Sequence, residues 1–210
     1  MGKIGIIDYG MGNLFSVKNA FEYLGLEISI CEIPEDLEKC ERLVLPGVGA
    51  FQDCMRNLKR KGFTTVLHQE VIVQQKPILG ICLGMQVMAQ KGFEGGEFQG
   101  LGWFDSEVVR IEAEDKFIRI PHVGWNNLII KKDSEILSGI SSESDFYFVH
   151  SFAMKCNRQE DCIAQCDYGS GVTAVIQKRN IVATQFHPEK SQEFGLRILE
   201  SFSQWNPVAC

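Results

Sequence analysis

A cysteine framed by two glycines is the feature of this sequence that most directly implies chemistry. Cys82 lies at the centre of Gly80-Ile81-Cys82-Leu83-Gly84, immediately after the apolar run Pro77-Ile78-Leu79. Small residues must flank a reactive one where a strand turns sharply into a helix. The spacing therefore predicts a nucleophile elbow with Cys82 at its apex and a helix over 84–88, whose first N–H groups favour the thiolate. The alternative is a buried cysteine that acts only as a small apolar residue.

A nucleophilic cysteine needs a base, and a histidine near the other end of the chain fits that role. The mostly apolar run 180–186 predicts a strand that ends directly before His187. Pro188 ends the strand and suits the first position of a helical turn, so that Glu189 can reach back to one ring nitrogen of His187. Such a carboxylate selects the tautomer and stabilises the imidazolium. Cys82, His187 and Glu189 are thus predicted to form a catalytic triad, unless His187 and Glu189 only cap a helix.

Together these two motifs resemble the class I glutamine amidotransferases, enzymes that release ammonia from glutamine through a Cys-His-Glu triad. Met85 discriminates between branches of that family, because members that make anthranilate, carbamoyl phosphate or guanylate usually carry histidine there. The sequence is most similar to the amidotransferase (glutaminase) subunit of imidazole glycerol phosphate synthase, an enzyme of histidine biosynthesis. Five further segments resemble signatures of that subunit and occur in its order, namely 7–14, 45–51, 121–126, 147–151 and 187–191.

The resemblance also implies which residues hold the substrate, L-glutamine. Those residues are Gly49, Gln86, Glu94 and Ser151, with His150 close by. It implies amide hydrolysis through a thioester, with no cofactor and no metal ion. Glu94 has an alternative, because a long polar side chain in a glycine-rich loop is usually just solvated.

The loop Pro46-Gly47-Val48-Gly49 is a second candidate part of the site. It follows a strand predicted to lie beside the elbow strand, so both loops should emerge at the carboxyl edge of a parallel sheet. Fixed N–H donors there stabilise the negative charge that develops on oxygen during amide cleavage. We assign this oxyanion hole to the N–H of Leu83 and that of Val48 or Gly49. The glycines permit a peptide flip, which the resemblance links to activation by a partner; a simple Pro-Gly turn is the alternative.

A partner protein is implied by what becomes of the ammonia. In the branch that the sequence resembles, ammonia passes to a (β/α)8 cyclase subunit within a heterodimer. Ammonia in water is protonated and loses its nucleophilicity, so a dry route between the subunits is needed. An exposed aromatic residue such as Trp125 would anchor the contact. The candidate interface residues are Asn13, His122, Trp125, Tyr147 and Lys190.

The elements that must position these residues follow from the apolar periodicity. Strands are predicted at 3–8, 26–31, 42–46 and 77–81, and apolar residues recur at helical spacing over 14–24. Such alternation predicts an α/β fold with helices on both faces of a parallel sheet. After Gly102, short runs between turn residues predict additional antiparallel strands, and 192–205 predicts a closing helix. We expect an open, mixed, largely parallel sheet flanked by helices, in a single domain over 1–210.

Composition narrows the class of protein further. The 210 residues are 45% hydrophobic, which suits a globular domain with a full core, and the net charge of −6 argues against nucleic-acid binding. No apolar run reaches the roughly 18 residues of a membrane span, and no signal peptide is recognisable. A cytoplasmic protein is therefore expected. The eight cysteines follow no disulfide framework, and the spacings of Cys156, Cys162 and Cys166 match no zinc pattern.

Other functions are compatible with parts of the sequence. Gly10-Met11-Gly12 resembles half of a dinucleotide fingerprint, but Phe15 stands where the third glycine is required, so NAD or FAD binding is not expected. A cysteine elbow also occurs in stress-response and peptidase-like proteins of related fold. A catalytically silent binding subunit is a further alternative. Within the amidotransferases, a paralogous subunit could feed ammonia to another synthase, such as one of sugar modification.

Overall fold

A mixed eight-stranded sheet forms the centre of the protein. The structure is a computed structural model that describes residues 2–113 and 118–207. From one edge to the other, the strands are β2 (Ile28–Cys31), β1 (Ile4–Ile7), β3 (Arg42–Gly47), β4 (Ile78–Cys82), β14 (Ile181–Thr184), β13 (Val172–Lys178), β12 (Cys162–Cys166) and β9 (Ile129–Ile130). The five strands from β2 to β14 pair in parallel, and the last three pairings are antiparallel.

Helices cover both faces of this sheet because its central strands are apolar on both sides. Leu43 and Leu45 of β3 pack into one core cluster, and Val44 between them packs into the other. The helices are α1 (Leu14–Tyr23), α2 (Phe51–Arg60), α3 (Phe63–Leu67) with its π-helical continuation (His68–Val73), α4 (Leu83–Gln86) and α5 (Gln192–Gln204). The face with Leu43 and Leu45 is covered by α2 and α3, and the face with Val44 by α1 and α5.

Two smaller sheets are built from strands between Ala89 and Cys156. A four-stranded sheet has the order β11 (Phe152–Cys156), β7 (Phe104–Arg110), β5 (Ala89–Gly92) and β6 (Phe98–Gln99). A separate antiparallel pair consists of β8 (His122–Asn127) and β10 (Asp145–His150). Short 3-10 turns occur at Pro34–Lys39, Glu135–Leu137, Gln159–Asp161 and Pro188–Lys190.

The parallel strands bring the predicted site residues to one edge of the main sheet. Gly47, the last residue of β3, pairs with Cys82, the last residue of β4. On the other side of β4, β14 ends at Thr184, three residues before His187. The loop after β3, the elbow and the predicted base therefore emerge side by side, where open α/β sheets build their sites.

The predicted fold class, an open, mixed and largely parallel sheet flanked by helices with additional antiparallel strands, is confirmed. The helix predicted at 84–88 is wrong in extent, because α4 is a single turn and the chain enters β5 at Ala89. Periodicity alone does not predict β5, β6, β8, β11 or β12. None of the helices within 2–113 and 118–207 combines the length and apolar character of a bilayer-crossing segment.

Candidate active site

The elbow at Cys82 has the sharp geometry that the glycine spacing predicts. Cys82 ends β4 and immediately precedes α4, with φ 54° and ψ −109°. A positive φ is unfavourable for a residue with a Cβ and persists only where the surroundings enforce it, which is common at functional sites. The backbone thus holds the thiol at the turn between strand and helix.

The two flanking glycines are required by close backbone contacts. A Cβ added to Gly84 would lie 1.8 Å from the carbonyl oxygen of Leu45. One added to Gly80 would lie 3.0 Å from the backbone nitrogen of Met85 and 2.7 Å from the end of the Met88 side chain. The glycines therefore let the turn after Cys82 pack directly on its own strand and on β3.

We expect Gly84→Ala to destabilise the protein by about 2–3 kcal/mol, because its methyl group meets a backbone carbonyl that cannot rotate away. Gly25→Ala is the comparison variant. Gly25, unlike Gly84, has a positive φ, 75°, but nothing lies within 4 Å of an added Cβ, so only the cost of that backbone conformation, about 1 kcal/mol, applies. Urea unfolding of both variants measures the difference. Equal losses of unfolding free energy would show that the elbow tolerates a side chain.

His187 and Glu189 form a buried pair directly after β14. The Nδ1 atom of His187 lies 2.8 Å from Oε1 of Glu189, and the two side chains are 2% and 0% exposed. The backbone N–H of His187 donates to Tyr147 O at 2.9 Å, and the Ser191 hydroxyl donates to His187 O at 2.6 Å. His187 is therefore held by hydrogen bonds both to its ring and to its backbone.

The electrostatic surroundings of His187 favour the protonated ring. Burial on its own lowers the pKa of His187, but the interactions with the Cys82 thiol and the Glu189 carboxylate outweigh it and raise the pKa to about 9. Nδ1 is used by Glu189, and Nε2 is buried without a well-directed hydrogen bond within the described residues. Catalytic hydrogen bonds are often long or misaligned before substrate binds. The ring is thus placed to carry a proton between the thiol and a ligand.

A cavity of about 360 Å³ opens at the elbow and contains most of the predicted site residues. Glu189 is not on its wall, since it lies behind His187. Three further lining residues, Pro121, Val149 and Phe152, have no site role predicted from the sequence, although Pro121 and Val149 lie in the segments 121–126 and 147–151. The predicted residues that line the cavity are Val48, Gly49, Cys82, Leu83, Gln86, Glu94, His150, Ser151 and His187.

The loop after β3 is anchored close to the elbow. The Tyr9 hydroxyl donates to Pro46 O at 2.9 Å, and a Cβ on Gly47 would lie 2.8 Å from the backbone nitrogen of Gly84. Gly49 has φ 99°, a conformation that favours glycine. Val48 and Gly49 thus reach the cavity on a loop fixed at its start, and their oxyanion role remains a prediction.

Glu94 is tied to the scaffold as well as to the cavity. Its Oε2 accepts from the backbone N–H of Phe51, the first residue of α2, at 2.9 Å. A carboxylate at this position satisfies one of the free N–H groups at a helix N-terminus. Glu94 therefore holds the loop after β5 against α2. The alternative from the sequence, a side chain that is only solvated, does not describe this contact.

His122 does not lie at the surface, so its predicted place in a partner interface is wrong. Its residue is 3% exposed, and its ring stacks between Phe148 and Tyr168 at centroid distances of 4.7 and 3.8 Å. Its Nδ1 lies 3.1 Å from Nε2 of His150, whose Nδ1 lies 2.9 Å from Phe152 O. The reason is strand parity, because odd and even residues of β8 point to opposite faces and His122 is on the face opposite Trp125.

This histidine pair is expected to make the fold sensitive to acid. Burial lowers the pKa of both His122 and His150 to about 4, whereas an unfolded histidine titrates near 6.5. The contribution of the pair to the free energy of unfolding is therefore complete above about pH 6.5 and is lost as the pH falls to 4. His122→Phe keeps the ring stacking and removes one proton site, so its loss of stability over this interval should be shallower. Urea unfolding at several pH values tests this, and parallel curves for the two proteins would contradict it.

The other predicted interface residues include an exposed cluster next to the site. Trp125 is 46% exposed and meets Tyr147 edge to face at 5.9 Å, and Lys190 lies over the Tyr147 ring at 5.8 Å. Val123, 56% exposed, is on the same face of β8 as Trp125. Asn13 is at the start of α1, where its side chain accepts from Ser16 N. Trp125, Tyr147, Lys190 and Val123 are called the aromatic cluster below.

A glutamine missed by the motifs contacts the sulfur directly. Gln185 is completely buried, and its Nε2 lies 3.7 Å from Sγ of Cys82. Its Oε1 accepts from Nε2 of Gln86 at 3.0 Å, and the same nitrogen donates to Phe152 O at 2.8 Å. The available signal was an amide side chain in the mostly apolar run 180–186, directly before Phe186 and His187.

Comparison with known proteins agrees with this geometry. The chain is 52% identical over 201 residues to "Imidazole glycerol phosphate synthase subunit HisH 1" of Campylobacter jejuni strain 81-176, covering 96% of this chain and 99% of that protein. It is 47% identical to "Imidazole glycerol phosphate synthase subunit HisH" of Caldanaerobacter subterraneus, covering 96% and 97%. In fold alone, PurLQS from Thermotoga maritima matches with a TM-score of 0.75 at 16% identity, covering 97% and 99%. The family model "Glutamine amidotransferase class-I" matches residues 5–204, and with the elbow and the His187–Glu189 pair on one sheet edge, the chain belongs to that family.

Proposed function

We propose that this protein is the glutaminase subunit of imidazole glycerol phosphate synthase, and that it hydrolyses L-glutamine to glutamate and ammonia in histidine biosynthesis. The observation that carries the proposal is Cys82, at the apex of a strained elbow, sharing one cavity with a His187 ring that Glu189 holds from behind. The names of the relatives support the choice of synthase. Residues 1–210 act as a single amidotransferase domain in the cytoplasm, and the chemistry uses only side chains, backbone N–H groups and water.

The reaction is an acyl transfer through a thioester. The Cys82 thiolate attacks the side-chain amide carbon of glutamine while His187 holds the proton taken from the thiol. His187 then gives this proton to the leaving nitrogen, so that ammonia departs and a γ-glutamyl thioester remains on Cys82. A water molecule, deprotonated by His187, releases glutamate. The pKa of about 9 suits the first half, because the ring keeps the proton until the amide nitrogen needs it.

The walls of the cavity supply binding and charge stabilisation. The N–H of Leu83 and that of Val48 or Gly49 stabilise the oxyanion of each tetrahedral intermediate. Gly49, Gln86, Glu94, His150 and Ser151 surround the glutamine. Both N–H groups of the Gln86 amide are already used within the protein, so its Oε1 is the atom that remains to accept from the substrate.

The ammonia passes to a (β/α)8 cyclase subunit that docks on the aromatic cluster to form a heterodimer. A protonated ammonium ion cannot act as a nucleophile, so a partner that seals the site from water preserves the product. Trp125 offers a half-exposed aromatic anchor. Lys190 is in the turn that follows His187, and the backbone carbonyl of Tyr147 accepts from the N–H of His187.

Copurification followed by a coupled assay tests the proposal. The chain is expressed with the cyclase subunit of its own genome, and the complex is given glutamine and the cyclase's ribulosyl aminoimidazole carboxamide nucleotide. Stable copurification with glutamine-dependent formation of imidazole glycerol phosphate is the expected result. Glutaminase activity without that product would instead favour a paralogous subunit serving another synthase. Loss of glutaminase activity altogether would favour a silent subunit or another cysteine-elbow protein.

A further inference from the structure

The buried amide of Gln185 contacts the nucleophile and has no part in the mechanism described above. Its side chain is 0% exposed, and its Nε2 to Cys82 Sγ distance of 3.7 Å is within the range of an N–H···S hydrogen bond. A glutamine is rarely buried unless its amide is hydrogen-bonded. Gln185 lies just beyond the end of β14, two residues before His187, so the same segment carries both side chains that act on the sulfur.

The orientation of this amide is determined by a chain of hydrogen bonds. Phe152 O can only accept, so it must face the nitrogen of the Gln86 amide, at 2.8 Å. The second N–H of that nitrogen needs an acceptor, and Oε1 of Gln185 supplies it at 3.0 Å. Turning the Gln185 amide over would bring two nitrogen atoms together there. The Nε2 of Gln185 is therefore the atom that faces Cys82.

We propose that Gln185 is a catalytic residue that stabilises the Cys82 thiolate by donating an N–H bond to its sulfur, with Gln86 positioning the amide. The inference rests on the proposed function. A donor aimed at a charged acceptor is stronger than one between neutral groups. Helix α4 stabilises a negative charge on the sulfur only weakly, because a single turn has a much smaller dipole than a full helix. The titratable groups around Cys82 are His187 on the β14 side, Tyr9 beyond β1, and His150 and Glu94 on the cavity wall.

The test compares Gln185→Met with the wild-type complex. Methionine matches glutamine in length and removes the donor. The rate of alkylation of Cys82 by iodoacetamide, followed by mass spectrometry of its peptide from pH 5 to 10, reports the fraction of thiolate. We expect the pH midpoint of alkylation to rise by about one unit in Gln185→Met. The free energy of a hydrogen bond to a charged group corresponds to a shift of about this size on the pH scale. Glutaminase kcat/KM at neutral pH should fall about tenfold with it.

Two further variants separate this role from packing. Gln185→Glu keeps the shape and still accepts from Gln86, but it places a carboxylate against the thiolate, so its midpoint should rise more than that of Gln185→Met. Thr184→Val is the matched control, because Thr184 is also fully buried and loses one donor, to Phe186 O at 3.0 Å, without touching the sulfur. Its midpoint should equal that of the wild type.

An unchanged alkylation midpoint in both Gln185 variants would overturn the inference, even if activity fell. A midpoint that shifted equally in Thr184→Val would overturn it as well, because any buried donor would then have the same effect. The proposed function fails separately, when the wild-type complex itself releases no glutamate from glutamine.

Discussion

The Cys82→Ala protein, folded and bound to the proposed cyclase partner, is expected to hydrolyse glutamine at least about 10³-fold more slowly than the wild type. Without the sulfur no thioester can form, and the remaining groups only bind and polarise the amide. Cys82→Ser should be similarly impaired, because His187 is poised for a thiol rather than for a far less acidic hydroxyl. Glutamate release by the purified complexes, measured with excess glutamine, gives the comparison.

The controls for this experiment show that only the chemistry is lost. Cys166→Ala removes a buried thiol on β12, three strands away from β4, and should keep wild-type activity. In the Cys82→Ala complex, added ammonium salt should restore synthesis by the cyclase, because the partner needs only ammonia. Near-normal glutaminase activity in a folded Cys82→Ala protein would refute the mechanism.

The second large effect is control of glutaminase activity by the partner. We expect the isolated chain to be nearly inactive and its turnover to rise by about 100-fold or more when a nucleotide-bound cyclase docks. One missing oxyanion donor costs about 3 kcal/mol of barrier, which corresponds to this factor. Gly49, at φ 99°, gives the loop after β3 the freedom to turn one peptide, and partner contacts would favour the form that donates to the oxyanion.

Turnover is measured for the free chain, the complex and the complex with nucleotide. Trp125→Ala should weaken the stimulation because Trp125 belongs to the aromatic cluster. Val73→Ala is the matched control, since Val73 is comparably exposed at 55%. Val73 precedes β4 and so lies near the amino ends of the parallel strands, opposite the site at their carboxyl ends. Equal rates in all three states would identify a glutaminase that works without a partner.

Much of the fold follows from local sequence patterns. The strands around Ile4–Ile7, Arg42–Gly47 and Ile78–Cys82 are apolar runs whose alternate residues pack into two different cores, and such runs are predictable. The strand Ala89–Gly92 is not, because its sequence Ala-Gln-Lys-Gly has no strand preference and its extended form depends on pairing with β6 and β7.

The candidate site, like the fold, has residues that local sequence predicts and residues that it does not. Cys82, His187 and Glu189 are recognisable because an elbow and a strand exit have local sequence requirements. His122 and Trp125 are only three residues apart, and which of them is buried depends on the parity of β8 in its pairing with β10. The contact of Gln185 with Cys82 exists only because β14 pairs with β4 and brings the Gln185 amide to the sulfur. Neither contact is encoded by spacing.

Transfer of labelled nitrogen tests the central claim most directly, namely that ammonia released at Cys82 is used by a bound cyclase. The complex is supplied with glutamine labelled with ¹⁵N in its side-chain amide, together with excess unlabelled ammonium and the cyclase's nucleotide. We expect nearly all of the imidazole product to carry the label, and the Cys82→Ala complex to make only unlabelled product. Wild-type product that carries mostly the nitrogen of the bulk ammonium would contradict the assignment.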